Sequence, residues 1–148
     1  MRIPFFLLLI FSFFSVPPCS QEKTQEPLDR AVGQASISYR FQRGLDERQE
    51  EWLVFPDGVV ARGRMQVGRV SQDKVSALLG EISKSGFFQM RRRFRRQRMC
   101  HQCSSYRIIV RTGKIEKTVE YQDGSQNIPA GLLETASKIR HLLREVSS

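Results

Sequence analysis

The feature that most constrains the fold is an alternation of apolar and polar residues on both sides of a turn late in the chain. Tyr106, Ile108 and Val110 alternate with mostly polar neighbours, residues 112–114 turn the chain, and the alternation resumes through Tyr121. A period of two is typical of a strand with one buried face. Two such strands around a glycine-containing turn predict a hairpin.

Two earlier segments carry the same pattern. Residues 35–42 alternate in the same way, which predicts a half-buried strand. Residues 51–64 hold two short strand patterns around Pro56-Asp57-Gly58. In such a turn proline presets its own φ, aspartate caps the turn and glycine tolerates a positive φ. We therefore expect a second hairpin over residues 51–64.

Helical spacing appears twice. Ser71 is a suitable N-cap and Gly86 a suitable C-terminal stop. Pro129 suits the first turn of a closing helix. The first stripe of apolar residues is Val75, Leu78, Leu79 and Ile82, and the second is Leu132, Leu133, Ala136, Ile139 and Leu143. After the first helix, Phe87-Phe88 is expected to fold back into the core.

The predicted order of elements is β-β-β-α-β-β-α. Strands with one apolar face need cover on that face only, and two amphipathic helices supply it. The sequence therefore predicts an α+β two-layer sandwich. It would contain an antiparallel sheet of about five strands, covered on one face by two helices.

The first 20 residues have the parts of a secretory signal peptide. Met1-Arg2 is positively charged, residues 3–14 are almost wholly apolar, and Pro17-Pro18 breaks the run. The run is shorter than the approximately 20 residues of a membrane span. We expect a signal peptide over 1–20, a polar linker over 21–34 and one domain over 35–146, in an exported protein of the periplasm or cell envelope. Cys19 stands where a lipoprotein carries its lipid, and cleavage near Ser20 without lipid is the alternative.

The other two cysteines form a Cys-x-x-Cys pair, Cys100 and Cys103. A redox dithiol would need a helix start after the motif, whereas a strand follows here. A zinc site would need four ligands, and the pair with His101 supplies at most three. Outside the cytosol a disulfide can persist, so the sequence favours a disulfide between Cys100 and Cys103.

Most of the formal net charge of +9 comes from one segment, with six arginines in eight residues. It could be a solvated loop. Alternatively it binds an anionic membrane surface, where each basic residue adds about 1 kcal/mol and Phe94 would dip into the interface. Nucleic acid is not expected for an exported chain. The candidate residues are Arg91, Arg92, Arg93, Phe94, Arg95, Arg96 and Arg98.

Catalytic patterns are not evident in the sequence. Its carboxylates do not pair as an acid and a base, and it shows neither a nucleophile elbow nor a phosphate loop. No catalytic, metal or cofactor residue is predicted. Tyr39, Phe41 and Trp52 stand at strand spacing and are expected in the core rather than on a ligand-binding surface.

Several short segments resemble emfourin-like domains. These are Ile37-Ser38-Tyr39-Arg40 followed by Gly44, Lys84-Ser85-Gly86-Phe87-Phe88, Tyr106-Arg107-Ile108-Ile109-Val110, and Lys117-Thr118-Val119-Glu120. The resemblance covers about residues 36–144, while the leader, the arginine segment and the Cys-x-x-Cys pair are additions. It implies the same sheet-and-helices fold and binding to a protein partner such as a thermolysin-like metalloprotease.

The sequence thus predicts a non-enzymatic exported protein with a partner-binding, protease-inhibitor-like domain. The alternative is an envelope protein that binds a membrane or an anionic polymer through residues 91–98.

Overall fold

One mixed sheet of seven strands organises the chain. The computed structural model describes residues 27–44, 49–96, 98 and 100–147; the predicted signal peptide and Cys19 lie outside them. The strands are β1 (Ile37–Gln42), β2 (Glu50–Val54), β3 (Val59–Arg62), β4 (Met65–Arg69), β5 (Arg93–Phe94), β6 (Ser105–Thr112) and β7 (Ile115–Gln122). Their order across the sheet is β4-β3-β2-β1-β6-β7-β5.

The α+β class is confirmed, but the prediction of about five antiparallel strands is wrong. The first additional strand is β4, which forms a tight hairpin with β3 through Gly63 at φ 60°. Its alternation is interrupted by Gly68, so its pattern is weak in the sequence. The second is β5, which pairs with β7 in parallel and makes the sheet mixed.

Two helices cover one face of the sheet, α1 (Gln72–Lys84) and α2 (Ala130–Ser147). The hydroxyl of Ser71 accepts a hydrogen bond from the backbone N–H of Lys74, as an N-cap does. Gly86 follows the helix in the left-handed region at φ 78°, and Phe87 then enters the core with no exposed surface. The predicted start, stop and return of this segment are therefore confirmed.

The buried stripe of α2 differs from the prediction at one position. Leu132, Ala136, Ile139 and Leu143 are buried against the sheet, whereas Leu133 is 48% exposed. Successive helical residues are about 100° apart, so Leu133 lies beside the stripe rather than on it. Leu142 is buried in the structure in addition to the predicted residues.

The second face of the sheet is also partly covered. A small apolar cluster lies there, and Leu28 from the N-terminal segment packs against it. Pro27 forms a bridge with Met65, and the backbone N–H of Leu28 donates to the carbonyl of Arg64 at 2.7 Å. The described part of the predicted linker, from Pro27 onward, is therefore docked on the domain. The cluster residues are Ala35, Leu53, Phe55, Val59 and Ala61.

Candidate functional site: an arginine groove at one end of the sheet

Strand β5 places the arginine segment at one end of the sheet. Arg93 pairs with Glu120 of β7, and Phe94 pairs with Tyr121. Because β5 runs parallel to β7, the residues after Phe94 continue past the end where β7 and β1 finish and β6 begins. The arginines that follow β5 therefore meet the ends of three longer strands.

A groove of about 520 Å³ lies at this end. It is lined by the last residues of β1 and β7, the first residues of β6 and the segment that contains β5. Glu120 is the only carboxylate among the described lining residues. The arginines that line it are Arg40, Arg93, Arg95, Arg96, Arg98 and Arg107.

The single lining carboxylate is shared between two arginines. Glu120 accepts from Arg93 at 2.8 Å through one oxygen and from Arg107 at 2.8 Å through the other. Arg40 pairs with Glu51 at 2.8 Å on the neighbouring strand. One carboxylate can neutralise only one of its two guanidinium partners, so the groove retains a large excess of positive charge.

Two of the lining arginines are exposed and unpaired within the described part of the chain. Arg95 and Arg98 make no hydrogen bond or ion pair with any described residue. Guanidinium groups so close together repel one another, and the repulsion falls when an anion binds between them. A guanidinium also offers a planar fork of donors that matches two oxygens of one phosphate or carboxylate.

Arg96 is held in place by the disulfide loop. Cys100 and Cys103 are bonded, with an Sγ–Sγ distance of 2.03 Å and a Cα–Cα distance of 5.4 Å, which confirms the predicted disulfide. One guanidinium nitrogen of Arg96 lies 2.9 Å from Cys103 Sγ and 3.2 Å from the carbonyl of Asp123. The disulfide therefore helps to fix one cation of the groove.

Phe94 is a correction to the predicted site. Its side chain is 3% exposed and belongs to the main core, so it does not dip into a membrane interface. The ring alternates with its arginine neighbours, and pairing with β7 turns it inward beside Tyr121. Arg91 lies over the ring at 4.3 Å from its centroid. Neither Arg91 nor Arg92 lines the groove.

Three charged residues of the groove are not among those predicted from the sequence. These are Arg40, Arg107 and Glu120, which occupy polar positions of the alternating strands. The alternation alone predicts only that such positions face solvent. In the sheet Arg40 is opposite Arg107, and Arg107 is opposite Glu120. The available signal was the repeated cation at polar positions of two strands, but the strand order was needed to bring those positions together.

The three aromatic residues predicted in the core divide into two groups. Tyr39 is buried, and its burial raises the pKa of its phenol. Phe41 and Trp52 are only partly buried. The pKa of Tyr121 is also raised, again mainly because of burial. Both phenols therefore stay neutral in the physiological range.

The described residues hold neither a metal-binding cluster nor a membrane-spanning helix. They contain no cluster of three or more histidine, cysteine or acidic side chains that could hold a metal ion. Within these ranges no helix is both long and apolar enough to cross a membrane.

No protein-family model matches the chain, and no curated protein matches it either. The resemblance to emfourin-like domains, with the protease partner it implies, stays a prediction.

Proposed function

We propose that this is a non-enzymatic exported protein that binds phosphate-bearing anionic ligands of the cell envelope through the arginine groove. The observation that carries the proposal is the charge of the groove. Six arginines surround a volume of about 520 Å³ with one carboxylate among the lining residues, and that carboxylate is shared by two of them.

The geometry favours phosphate over a single carboxylate as the bound group. Arg93 and Arg107 are oriented by Glu120, Arg40 by Glu51, and Arg96 by the disulfide loop. Oriented donors lose less side-chain entropy on binding than free ones do. The donors come from three parts of the chain, β1, β6 and the segment that contains β5, which suits a ligand with several charged oxygens, as phosphate groups provide.

The groove also suits binding better than catalysis. Glu120, the one carboxylate among its described lining residues, is paired through both oxygens with guanidinium groups. The other polar groups at the groove are amides and hydroxyls of residues such as Gln42, Gln122 and Ser105. These groups donate and accept hydrogen bonds at neutral pH without changing their charge.

Export is the second part of the proposal. It is supported by the charged start, apolar run and proline exit of residues 1–20. The bonded Cys100–Cys103 pair is consistent with an oxidising compartment outside the cytosol. A lipid on Cys19 would keep the groove near the membrane surface, where anionic head groups are concentrated.

The test is a calorimetric titration of the purified full chain with tripolyphosphate. We expect saturable binding that weakens as salt rises. Arg95→Ser/Arg98→Ser should weaken binding at least ten-fold, since hydrogen bonds to charged groups contribute about 1.5–3 kcal/mol each.

The matched control removes two charges elsewhere. Arg64→Ser/Lys114→Ser lowers the net charge equally at exposed positions outside the groove. It should change the affinity by less than about two-fold. An equal loss in both double variants would show unspecific charge attraction, and no binding by the parent chain would rule the proposal out.

A further inference from the structure

A second groove lies on the helix-covered face of the sheet, beside the arginine groove. Its volume is about 500 Å³, and it lies between α2 and strands β1, β2 and β6. That size is within the range of small-molecule sites, which are mostly apolar with a few polar groups. The apolar part of its lining is Tyr39, Phe41, Trp52, Tyr106 and Leu143. We call it the aromatic groove.

The aromatic groove also carries positive charge. Arg140 of α2 lines it together with Tyr39, whose phenol is close enough to interact with the guanidinium. A tyrosine phenol is neutral at physiological pH, and burial raises the pKa of Tyr39 further, so it does not cancel the charge of Arg140. Arg140 forms no ion pair with a carboxylate in the described part of the chain. The groove is therefore largely apolar, with Arg140 and Arg144 on its α2 side and Glu50, which is paired with Arg62, on its β2 side.

The two grooves share two lining residues. Phe41 and Tyr106 line both of them, and their ring centroids are 5.3 Å apart. Phe41 is the second-last residue of β1 and Tyr106 is the second residue of β6, so both lie near the end of the sheet. Tyr106 in turn stacks on Tyr121 at 4.6 Å. A ligand that lies across this aromatic pair would reach the arginines on one side and the apolar lining on the other.

We infer that the occupant of the two grooves is an anionic amphiphile. Its phosphate head binds the arginine groove, and its apolar chain lies along Phe41, Trp52 and Leu143 in the aromatic groove. This inference rests on the proposed function, which it narrows to a phospholipid-like ligand. Charge complementarity selects the anionic head, and the aromatic pair Phe41 and Tyr106 that lines both grooves selects a molecule with a head and a tail.

The experiment uses Trp52, the only tryptophan of the chain, as a reporter inside the aromatic groove. The full chain is titrated with glycerol 3-phosphate, and separately with dihexanoyl phosphatidic acid below its micelle concentration. We expect the lipid to bind at least ten-fold more tightly, since each buried methylene contributes about four-fold in affinity. Only the lipid should shift the emission of Trp52 to shorter wavelength.

A variant that fills the aromatic groove distinguishes the contribution of the apolar chain from that of the phosphate head. Ser137 is an exposed residue of α2 at the aromatic groove, so Ser137→Phe should occupy the groove without disturbing the core. It should remove the advantage of the lipid while tripolyphosphate binds as before. Ser83→Phe, at an exposed position of α1, is the matched control and should leave both ligands unaffected.

The outcomes distinguish this inference from the proposed function. If tripolyphosphate binds but the lipid binds no more tightly than glycerol 3-phosphate and Trp52 emission is unchanged, the inference is wrong and the proposed function stands. If dihexanoyl phosphatidylcholine, whose head has no net charge, shifts Trp52 as strongly as the phosphatidic acid, head charge does not select the ligand and the inference of an anionic amphiphile is overturned. Failure of tripolyphosphate to bind rules out the proposed function itself.

Discussion

Phe94 shows how one apolar residue can determine the position of a charged segment. It stands among arginines, yet its side chain is buried and paired with Tyr121. Burial of the ring fixes the backbone at Arg93 and Phe94, and the arginines on either side remain exposed. The cations of the groove are therefore held by an apolar contact as much as by ion pairs.

Truncation of this ring should destabilise the whole domain. We expect Phe94→Ala to lower the free energy of unfolding by about 3–5 kcal/mol, the usual cost of a deleted core phenylalanine. Ile115→Ala is the control, since Ile115 is 60% exposed and should change stability by less than about 0.5 kcal/mol. Urea unfolding of both variants measures the difference. If the two variants are equally stable and only vesicle binding falls in Phe94→Ala, Phe94 acts at a membrane surface.

At the scale of elements, the segment from Pro27 to Ala35 packs on part of one face of the sheet, and an ion pair links it to the turn after β2. Arg30 donates to both carboxylate oxygens of Asp57 at 2.9 Å, and its guanidinium lies 5.3 Å from the centroid of Phe55. The hydrogen bonds from Arg30 lower the pKa of Asp57. Both side chains are about two-fifths exposed, so water and salt screen the pair.

The contribution of this pair should depend on pH in a defined direction. A carboxyl with a lowered folded-state pKa stabilises the fold above its unfolded pKa of about 3.9 and loses that effect as pH falls through the lowered value. We therefore expect Asp57→Asn at pH 7 to lower the hydrogen-exchange protection factor of the Leu28 amide, and the protection factor of the parent chain to fall toward the same value as pH drops through the lowered pKa of Asp57. Glu50→Gln, which breaks the similarly exposed pair with Arg62, should not. Equal protection of the Leu28 amide at pH 7 in the parent, Asp57→Asn and Glu50→Gln would show that the segment docks without the ion pair.

At the scale of the whole molecule, the proposed export would preserve the disulfide. The Cys100–Cys103 bond fixes Arg96 of the arginine groove, and such a bond persists outside the cytosol. A chain kept in a reducing compartment would lose this constraint. The proposed function therefore depends on where the protein resides.

Intact mass spectrometry of the chain isolated from cells tests this. We expect a mass that corresponds to a start near Ser20, or to a start at Cys19 with attached lipid. The mass should rise by about two units on reduction, as Cys100 and Cys103 each gain a hydrogen. A Cys19→Ser variant separates the two starts, because only a lipidated chain changes its membrane attachment. An unprocessed chain with free thiols would contradict export.

Local patterns predicted most of the elements, and non-local pairing determined the rest. The hairpin over residues 106–121, the N-cap at Ser71 and the stop at Gly86 depend on neighbouring residues and could be read directly. Strand β5 could not, because Arg93 and Phe94 form a strand only through β7. The groove has the same limit. Its arginines on β1 and β6 were visible as polar positions, but only the strand order places them beside residues 93–98.

The two outer strands of the sheet have a consequence for how copies of this chain behave at high concentration. An open strand edge invites another chain to extend the sheet, which leads to aggregation. Here β5, at one edge, is only two residues long and is flanked by arginines, and repulsion between these charges opposes a second copy. At the other edge Pro27 bridges to Met65 of β4, and proline has no backbone N–H to offer a new neighbour. The protein should therefore remain dispersed. An eight-residue strand such as β7, if it lay at an open edge, would instead allow a second copy to extend the sheet.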